Sequence, residues 1–182
     1  HVGDILMGFA ILMFGMHTMS ASVKGLGSQP WFTGMMTSMR SPLLGILAGA
    51  AFTAVLQSAS AAGGIVQALS VTGAMDFGAA FPLLLGINIG ASVPVLLSAI
   101  GAGVRGKRAA LVYPVESILG SAGCALLYYG LHAGWHFAFV TAVMNPFSVA
   151  AVNSLFRLVH LLLLTPFTGA VEAIVTRMVP DR

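Results

Sequence analysis

Two clusters of small polar residues lie inside long apolar stretches of this chain. The first is the tetrapeptide Gln-Ser-Ala-Ser at 57–60, and the second contains Asn88 and Ser92. Hydroxyl and amide groups can donate hydrogen bonds to an anion, and a helix that starts at such a cluster adds free backbone N–H groups. Carbonyl and amide oxygens are ligands that suit a sodium ion. The two clusters therefore favour a site for a small ion.

Two opposite charges also fall within apolar segments, Glu116 and Arg157. A charge inside a membrane is costly and is usually paired. We predict a buried ion pair between these residues. Two alternatives stay open from sequence: a role for Arg157 toward an anion or ion, and exposure of either side chain at the membrane surface.

The histidines offer less specific chemistry. His132 and His136 have the spacing of a metal-binding pair, but no carboxylate is near them in sequence, so anchoring at the membrane interface is the favoured interpretation. His17 and His160 lie in apolar segments, where a packed, hydrogen-bonded histidine is favoured over a proton relay. No metal site is expected. The sequence lacks the G-x-S-x-G pattern of a serine hydrolase, and we expect no enzymatic activity.

Composition sets the class of protein. Of 182 residues, 58% are hydrophobic and 7% are charged, and the mean hydropathy is +0.96. A soluble domain has about 25% charged residues. The net charge of +3 is not gathered in a basic stripe, so a nucleic-acid partner is not expected. The single cysteine, Cys124, excludes a disulfide framework. An integral protein of the lipid bilayer is the class that remains.

The uncharged runs place the elements. We predict an all-α fold, because backbone exposed to lipid must satisfy its own hydrogen bonds. Spanning helices are expected over 4–23, 77–102, 109–130 and 147–167. The connecting segments are expected to be an interfacial segment at 24–41, a basic loop at 105–108, an aromatic turn at 131–146 and an exit segment at 168–182.

The stretch between 41 and 76 is too long for one span and too short for two. Its two arms, each about 14 residues, flank the tetrapeptide and would reach only part of the way across a bilayer. We predict a re-entrant hairpin with its tip at 57–60. Pro82 and Pro94, with the glycines between them, predict that the next span is unwound near Asn88.

Counting cations predicts the orientation. If the hairpin enters and leaves on one side, the N-terminus, the basic segment 105–108 and the C-terminus share the other side. That side holds five of the eight cations and should be cytoplasmic. Lys24, Arg40 and Asp76 would face outward. We expect a multi-pass protein of the inner (plasma) membrane.

The two polar clusters and their flanks resemble the type II sodium-dependent phosphate cotransporter family, including its bacterial members. The family repeat has a QSSS tetrapeptide followed by a GANIGTT-like segment, which correspond here to QSAS at 57–60 and GINIGAS at 86–92. The flanking sequences PLLGILAGAAFTAVLQS, FGMHTMSASVKGL and RGKRAAL are similar to family segments as well. The resemblance covers about residues 5–180.

The resemblance implies two inverted repeats whose hairpin tips enclose phosphate and sodium, with transport by alternating access. It implies that Gln57, Ser58 and Ser60 bind the substrate, whereas Asn88 and Ser92 bind sodium or orient the hairpin. Sodium would be the coupling ion, and no organic cofactor is implied.

The chain has one such tetrapeptide. We therefore expect residues 1–182 to form a single transmembrane domain that is one half or a fragment of a two-repeat transporter. Residues 1–104 would be the hairpin-bearing repeat and 105–182 the remaining spans. A second repeat, or a second copy in a homodimer, would complete the site.

Ala59 and Ala91 stand where the family has hydroxyl residues. These departures leave two alternatives to sodium-coupled phosphate transport. One is a relative that moves another anion, or that uses protons or no sodium. The other is a membrane scaffold or regulator with the same fold.

Overall fold

A computed structural model describes residues 2–23, 25 and 28–180. Its regular structure is α-helical, with short 3₁₀ turns at Ala138–Thr141 and Thr165–Phe167. In the described part of the chain the helices are α1 (Val2–Val23), α2 (Pro30–Ser38), α3 (Pro42–Leu56), α4 (Ala59–Ser70), α5 (Phe77–Gly90), α6 (Val93–Ser98), α7 (Val104–Trp135), α8 (Pro146–Leu164) and α9 (Thr168–Met178). The predicted all-α class is confirmed.

Length and apolar composition allow several of these helices to cross a membrane. Within the described residues, four segments qualify: Val2–Met19, Phe77–Ser98, Val104–Trp135 and Pro146–Met178. A fifth is reached if α2 and α3, which are bent by 107° relative to each other, are counted as one broken span. The fold is therefore that of a multi-pass membrane protein. By contrast, α3 and α4 have 15 and 12 residues, too few for either to span alone.

Helices α3 and α5 cross so closely that only glycine fits at four positions of the contact. The glycines that form this crossing are Gly45, Gly49, Gly86 and Gly90. A Cβ atom on Gly45 would come within 2.7 Å of Pro82 Cβ, and one on Gly90 would come within 2.8 Å of Thr53 Cβ. Because the paired positions rise together along both helices, α3 and α5 run parallel.

The N-terminal ends of these parallel helices are tied together. Arg40, just before α3, forms an ion pair with Asp76, the residue that caps α5. The Asp76 side chain also accepts a hydrogen bond of 3.0 Å from Ala79 N–H. Asp76 pairs in addition with Val143, in the connection between α7 and α8, through an isolated β-bridge. Three connections of the fold therefore meet at one end.

The structure corrects the predicted basic loop. Residues 105–108 lie in the first turn of α7, which begins at Val104 and continues for 32 residues. Gly103 caps this helix with extended backbone, and no proline interrupts α7 before Pro114, so the basic segment can be helical. The predicted exit segment is also helical, as α9. At this end of the bundle Arg108 Nε donates a 2.8 Å hydrogen bond to the Val179 carbonyl.

The prediction that a span unwinds near Asn88 is wrong. Helix α5 continues through Asn88 to Gly90, and α6 begins two residues later. Gly86 and Gly90 do not loosen the helix, because both are held against the backbone of α3. The interruption instead falls where Pro94 has no N–H to donate to the Gly90 carbonyl.

Candidate functional site

The tetrapeptide at 57–60 forms the turn between α3 and α4. Gln57 ends α3 in a left-handed conformation with φ 53°, and its N–H donates to the Thr53 carbonyl at 2.7 Å. Ser58 then has extended backbone and caps α4. The predicted helical hairpin with its turn at this tetrapeptide is therefore present.

The side chains at this tip form a small hydroxyl cluster. Ser58 Oγ accepts a hydrogen bond of 3.2 Å from Ala61 N–H and lies 3.3 Å from Ser60 Oγ. Ser58 is half-buried, whereas Gln57 and Ser60 are exposed. The N–H groups of the first two residues of α4 have no acceptor within the helix. The tip thus offers hydroxyl, amide and backbone donors to a ligand approaching from outside this chain.

Ser92 follows the point where the end of α5 packs on α3, so its backbone lies near the level of the tip. Thr53, one turn before the end of α3, packs on Gly90, and Ser92 follows two residues later. Ser92 is buried, and its hydroxyl donates to the Ile89 carbonyl at 2.7 Å. The Ser92 oxygen keeps two lone pairs after this donation, so it could still accept a hydrogen bond from a ligand or coordinate a cation.

Asn88, on α5, lies one turn before Ser92 and is turned away from α3. Gly86 and Gly90 face α3, and Asn88 is rotated about 200° from each of them along the helix. Its amide instead approaches Ser121 Oγ on α7 at 3.4 Å and His160 Nδ1 on α8 at 3.3 Å. The Asn88 amide is therefore engaged with α7 and α8, and its role toward sodium stays a prediction.

Asn88 belongs instead to a polar cluster among α5, α7 and α8. Asn88, Ser121 and His160 are buried, and the Ser121 hydroxyl donates to the Leu85 carbonyl at 3.4 Å. Ser117, one turn earlier on α7, is fully buried, and no partner for its hydroxyl is found in the described part of the chain. Buried polar groups are normally satisfied, so this cluster stands out in an otherwise apolar bundle.

The structure does not bring Glu116 and Arg157 together. A Glu116 carboxylate oxygen lies 3.2 Å from His160 Nε2, although the two are not aligned as a hydrogen bond. Arg157 is exposed on α8. Arg157 and His160 are three residues apart, and the rotation of α8 turns His160 toward α7. Sequence reasoning therefore singled out Glu116 but chose the wrong neighbour for it.

Several features of the site were missed from sequence. The Arg40–Asp76 ion pair, Ser121 and Gly120 were not singled out. Gly120 leaves room for the His160 ring, since a Cβ there would overlap ring atoms. The available signal was spacing, because Gly120 follows Glu116 by four residues and Ser121 follows Ser117 by four, which places each pair on one helix face.

The His132 and His136 pair has a structural role. His132 Nδ1 accepts a 3.0 Å hydrogen bond from Phe137 N–H, and its ring stacks on Tyr128 and Phe137. His136 ends α7 in a left-handed conformation. Among the residues that the structure describes, no group of three or more His, Cys, Asp or Glu side chains could hold a metal ion.

The fold and tip define the class: a multi-pass helical membrane protein with a short helical hairpin whose polar turn lies near the level at which α5 ends within a span. Residues 11–130 match the Na+/Pi-cotransporter family, and the chain belongs to that family. This is a family of transporters rather than enzymes. The sequence-based recognition of the family is thereby confirmed.

One curated relative is an uncharacterized protein, YqeW, from Bacillus subtilis (strain 168). It is 27% identical over 137 residues, which cover 75% of this chain and 44% of the relative. The matched region therefore spans less than half the length of that relative. No solved structure matches the chain.

Proposed function

We propose that this chain contributes the hairpin half of a transporter that moves inorganic phosphate together with sodium by alternating access. Membership of the family supports phosphate as the substrate and sodium as the co-transported ion. The structural observation that carries the proposal is the tip itself, where Ser58 and Ser60 lie 3.3 Å apart at the N-terminus of α4.

The contacts support a re-entrant hairpin. Helix α3 has a length of about 22 Å and α4 of about 18 Å, both short of a hydrocarbon core about 30 Å thick. Because α3 and α5 run parallel and the Arg40–Asp76 pair joins their starts, the chain must return to its starting face through α4. The tip would then lie inside the membrane while α5 and α6 complete a span.

The chemistry of the tip suits an oxyanion. Gln57, Ser58 and Ser60 supply amide and hydroxyl donors, and residues 57–60 contain no acidic side chain. The N-terminus of α4 adds unpaired N–H groups and the positive end of its dipole. We assign these three residues to the substrate and Ser92, near the same level, to sodium or to the support of the hairpin.

A complete site would need a second hairpin. Gln57 and Ser60 are exposed, so the tip presents its donors to the outside of this chain. We propose that a second repeat, or a second copy in a homodimer, supplies the facing tip. Residues 1–104 would act as the hairpin-bearing repeat, on which the spans of 105–182 pack.

The contacts also fit the predicted orientation. Arg40, Asp76 and the connection that contains Val143 meet at one face, and Arg108 meets Val179 at another end of the bundle. We propose that the basic segment 105–108 is cytoplasmic and that the protein resides in the inner (plasma) membrane.

The test is phosphate uptake by the protein reconstituted in proteoliposomes together with the repeat or copy that completes its site, with and without an inward sodium gradient. We expect uptake that requires sodium and that is abolished by Ser58→Ala. The matched control is Ser38→Ala, which removes an exposed serine hydroxyl from α2 and should leave uptake intact. Sodium-dependent uptake that survives Ser58→Ala would refute the site, and no uptake by the wild-type protein would refute the function.

A further inference from the structure

His160 occupies a position built for its ring. The side chain is only 8% exposed, and Gly120 on α7 provides the space that the imidazole fills. Phe156 packs against the ring with centroids 5.6 Å apart. A histidine buried this deeply in an apolar bundle needs polar partners at both nitrogens.

The hydrogen-bond directions around His160 determine where its proton lies. Ser121 donates its single hydroxyl proton to Leu85 O, so its oxygen accepts from the Asn88 amide. The amide nitrogen of Asn88 also faces His160 Nδ1 at 3.3 Å, which makes Nδ1 an acceptor. The neutral ring therefore carries its proton on Nε2, the nitrogen that faces Glu116.

Glu116 connects this buried ring to a cavity. Its carboxylate oxygen lies 3.2 Å from His160 Nε2, and its side chain is 41% exposed. The cavity, of about 490 Å³, lies among α7, α8 and α9. Glu116 is about 18 Å along α7 from its first residue. The carboxylate therefore faces a buried imidazole on one side and an opening on the other.

We propose that Glu116 and His160 together form a proton-binding site, separate from the hairpin tip, that supplies a proton as a coupling ion. A proton entering from the cavity binds the Glu116 carboxylate, and the net charge of the pair changes from −1 to 0. Adding it to the ring instead would place an Nδ1–H against the Asn88 N–H, so the amide of Asn88 would first have to turn. The coupling role rests on the proposed transport function, whereas proton binding does not.

Other charged groups near the pair are few and face the cavity or the outside. Arg108 and Glu172 also line the cavity, from α7 and α9. Asn88 and Ser121, which face the ring from α5 and α7, are neutral, and the charged neighbour on α8, Arg157, is exposed. Glu172 is exposed as well, which makes it the matched control for Glu116.

The first test is infrared difference spectroscopy of the protein in liposomes between acidic and alkaline pH, without phosphate. We expect a carboxylic-acid C=O band that is lost in Glu116→Gln and retained in Glu172→Gln. We also expect the pH midpoint of the band to change in His160→Phe. A band that persists in Glu116→Gln, or a midpoint unaffected by His160→Phe, would overturn the proton site.

The second test is phosphate uptake at constant sodium with and without an inward proton gradient. Wild type and Glu172→Gln should be stimulated equally, and Glu116→Gln should lose the stimulation while keeping uptake driven by sodium alone. Stimulation that is intact in Glu116→Gln would overturn the coupling role. Failure of the proposed function itself is distinguishable, because wild-type protein would then show no uptake under any gradient while the infrared band could still be measured.

Discussion

The substitution Gly86→Ala tests the close crossing of α3 and α5. A Cβ on Gly86 would overlap the Ile46 carbonyl oxygen and come within 2.8 Å of the Ala50 nitrogen. Both atoms belong to the α3 backbone, so no side-chain rotation can relieve the overlap. The two helices would have to separate, and the tip at the end of α3 would move with them.

The size of the effect follows from two opposing contributions. Alanine favours a helix over glycine by about 1 kcal/mol. Overpacking costs about 1–3 kcal/mol where side chains can adjust, and the upper end applies here because the contacted atoms are backbone. We therefore expect Gly86→Ala to lower the free energy of unfolding by about 2 kcal/mol.

The assay is thermal or denaturant unfolding of purified protein in detergent. Gly130→Ala is the control, because Gly130 is also inside a helix and has nothing within 4 Å of its Cβ position. This variant should be as stable as wild type or slightly more stable. Equal stability of Gly86→Ala and Gly130→Ala would refute the reasoning that α3 and α5 touch backbone to backbone.

Three further predictions concern the hairpin tip, the Arg40–Asp76 ion pair and the packing of His160 on Gly120. Ser58→Ala removes a helix cap and should destabilise the protein by about 1 kcal/mol. Ser58→Asn should keep the cap and the stability but still lose phosphate uptake. Unfolding assays measure the first effect, and phosphate-binding assays measure the second. Asp76→Ala should destabilise by about 1–3 kcal/mol by removing both the cap and the partner of Arg40, and Asp76→Asn by less, as measured by unfolding. Gly120→Ala should displace the His160 ring and remove proton-gradient stimulation of uptake, with sodium-driven uptake as the internal control. The cap explanation would be contradicted if Ser58→Ala and Ser58→Asn were equally stable. The ion-pair explanation would be contradicted if Asp76→Ala and Asp76→Asn were equally stable. The packing explanation would be contradicted if the proton gradient stimulated uptake equally in Gly120→Ala and wild type.

The hairpin is predictable from sequence because its signal is local. A polar tetrapeptide divides an apolar stretch into two arms, and Ser58 is a favourable N-cap residue, so the turn and the helix after it follow from nearby residues. The position of Ser92 near the level of the hairpin tip depends on the order of the helices and on the glycines that let α3 and α5 approach each other. Both kinds of information are present in the sequence.

The neighbours of Glu116 could not be predicted in the same way. Arg157 and His160 lie one turn apart on α8, about 60° apart around its axis, and the rotation of the helix decides which one faces α7. Charge alone favours Arg157. The structure favours His160 because Gly120 leaves space for its ring, a match of shapes between distant segments that has no local pattern.

The break near Asn88 was misjudged for a related reason. Glycine weakens a helix that is free in solution, and two glycines flank Asn88. In a bundle the same residue lets two backbones touch, and that contact holds the helix together. Sequence cannot distinguish the two uses without knowing which helix lies opposite.

The crossing of α3 and α5 has a mechanical consequence. Because their backbones are in direct contact, the two helices cannot slide or rotate independently and should move as one rigid body. The hairpin tip follows α3 on one side of this pair, and Asn88 on α5 contacts the buried imidazole of His160 on the other side. A small rotation of this helix pair about its own axis would therefore displace the hydroxyl groups of the tip and break the contact of Asn88 with His160 in the same movement.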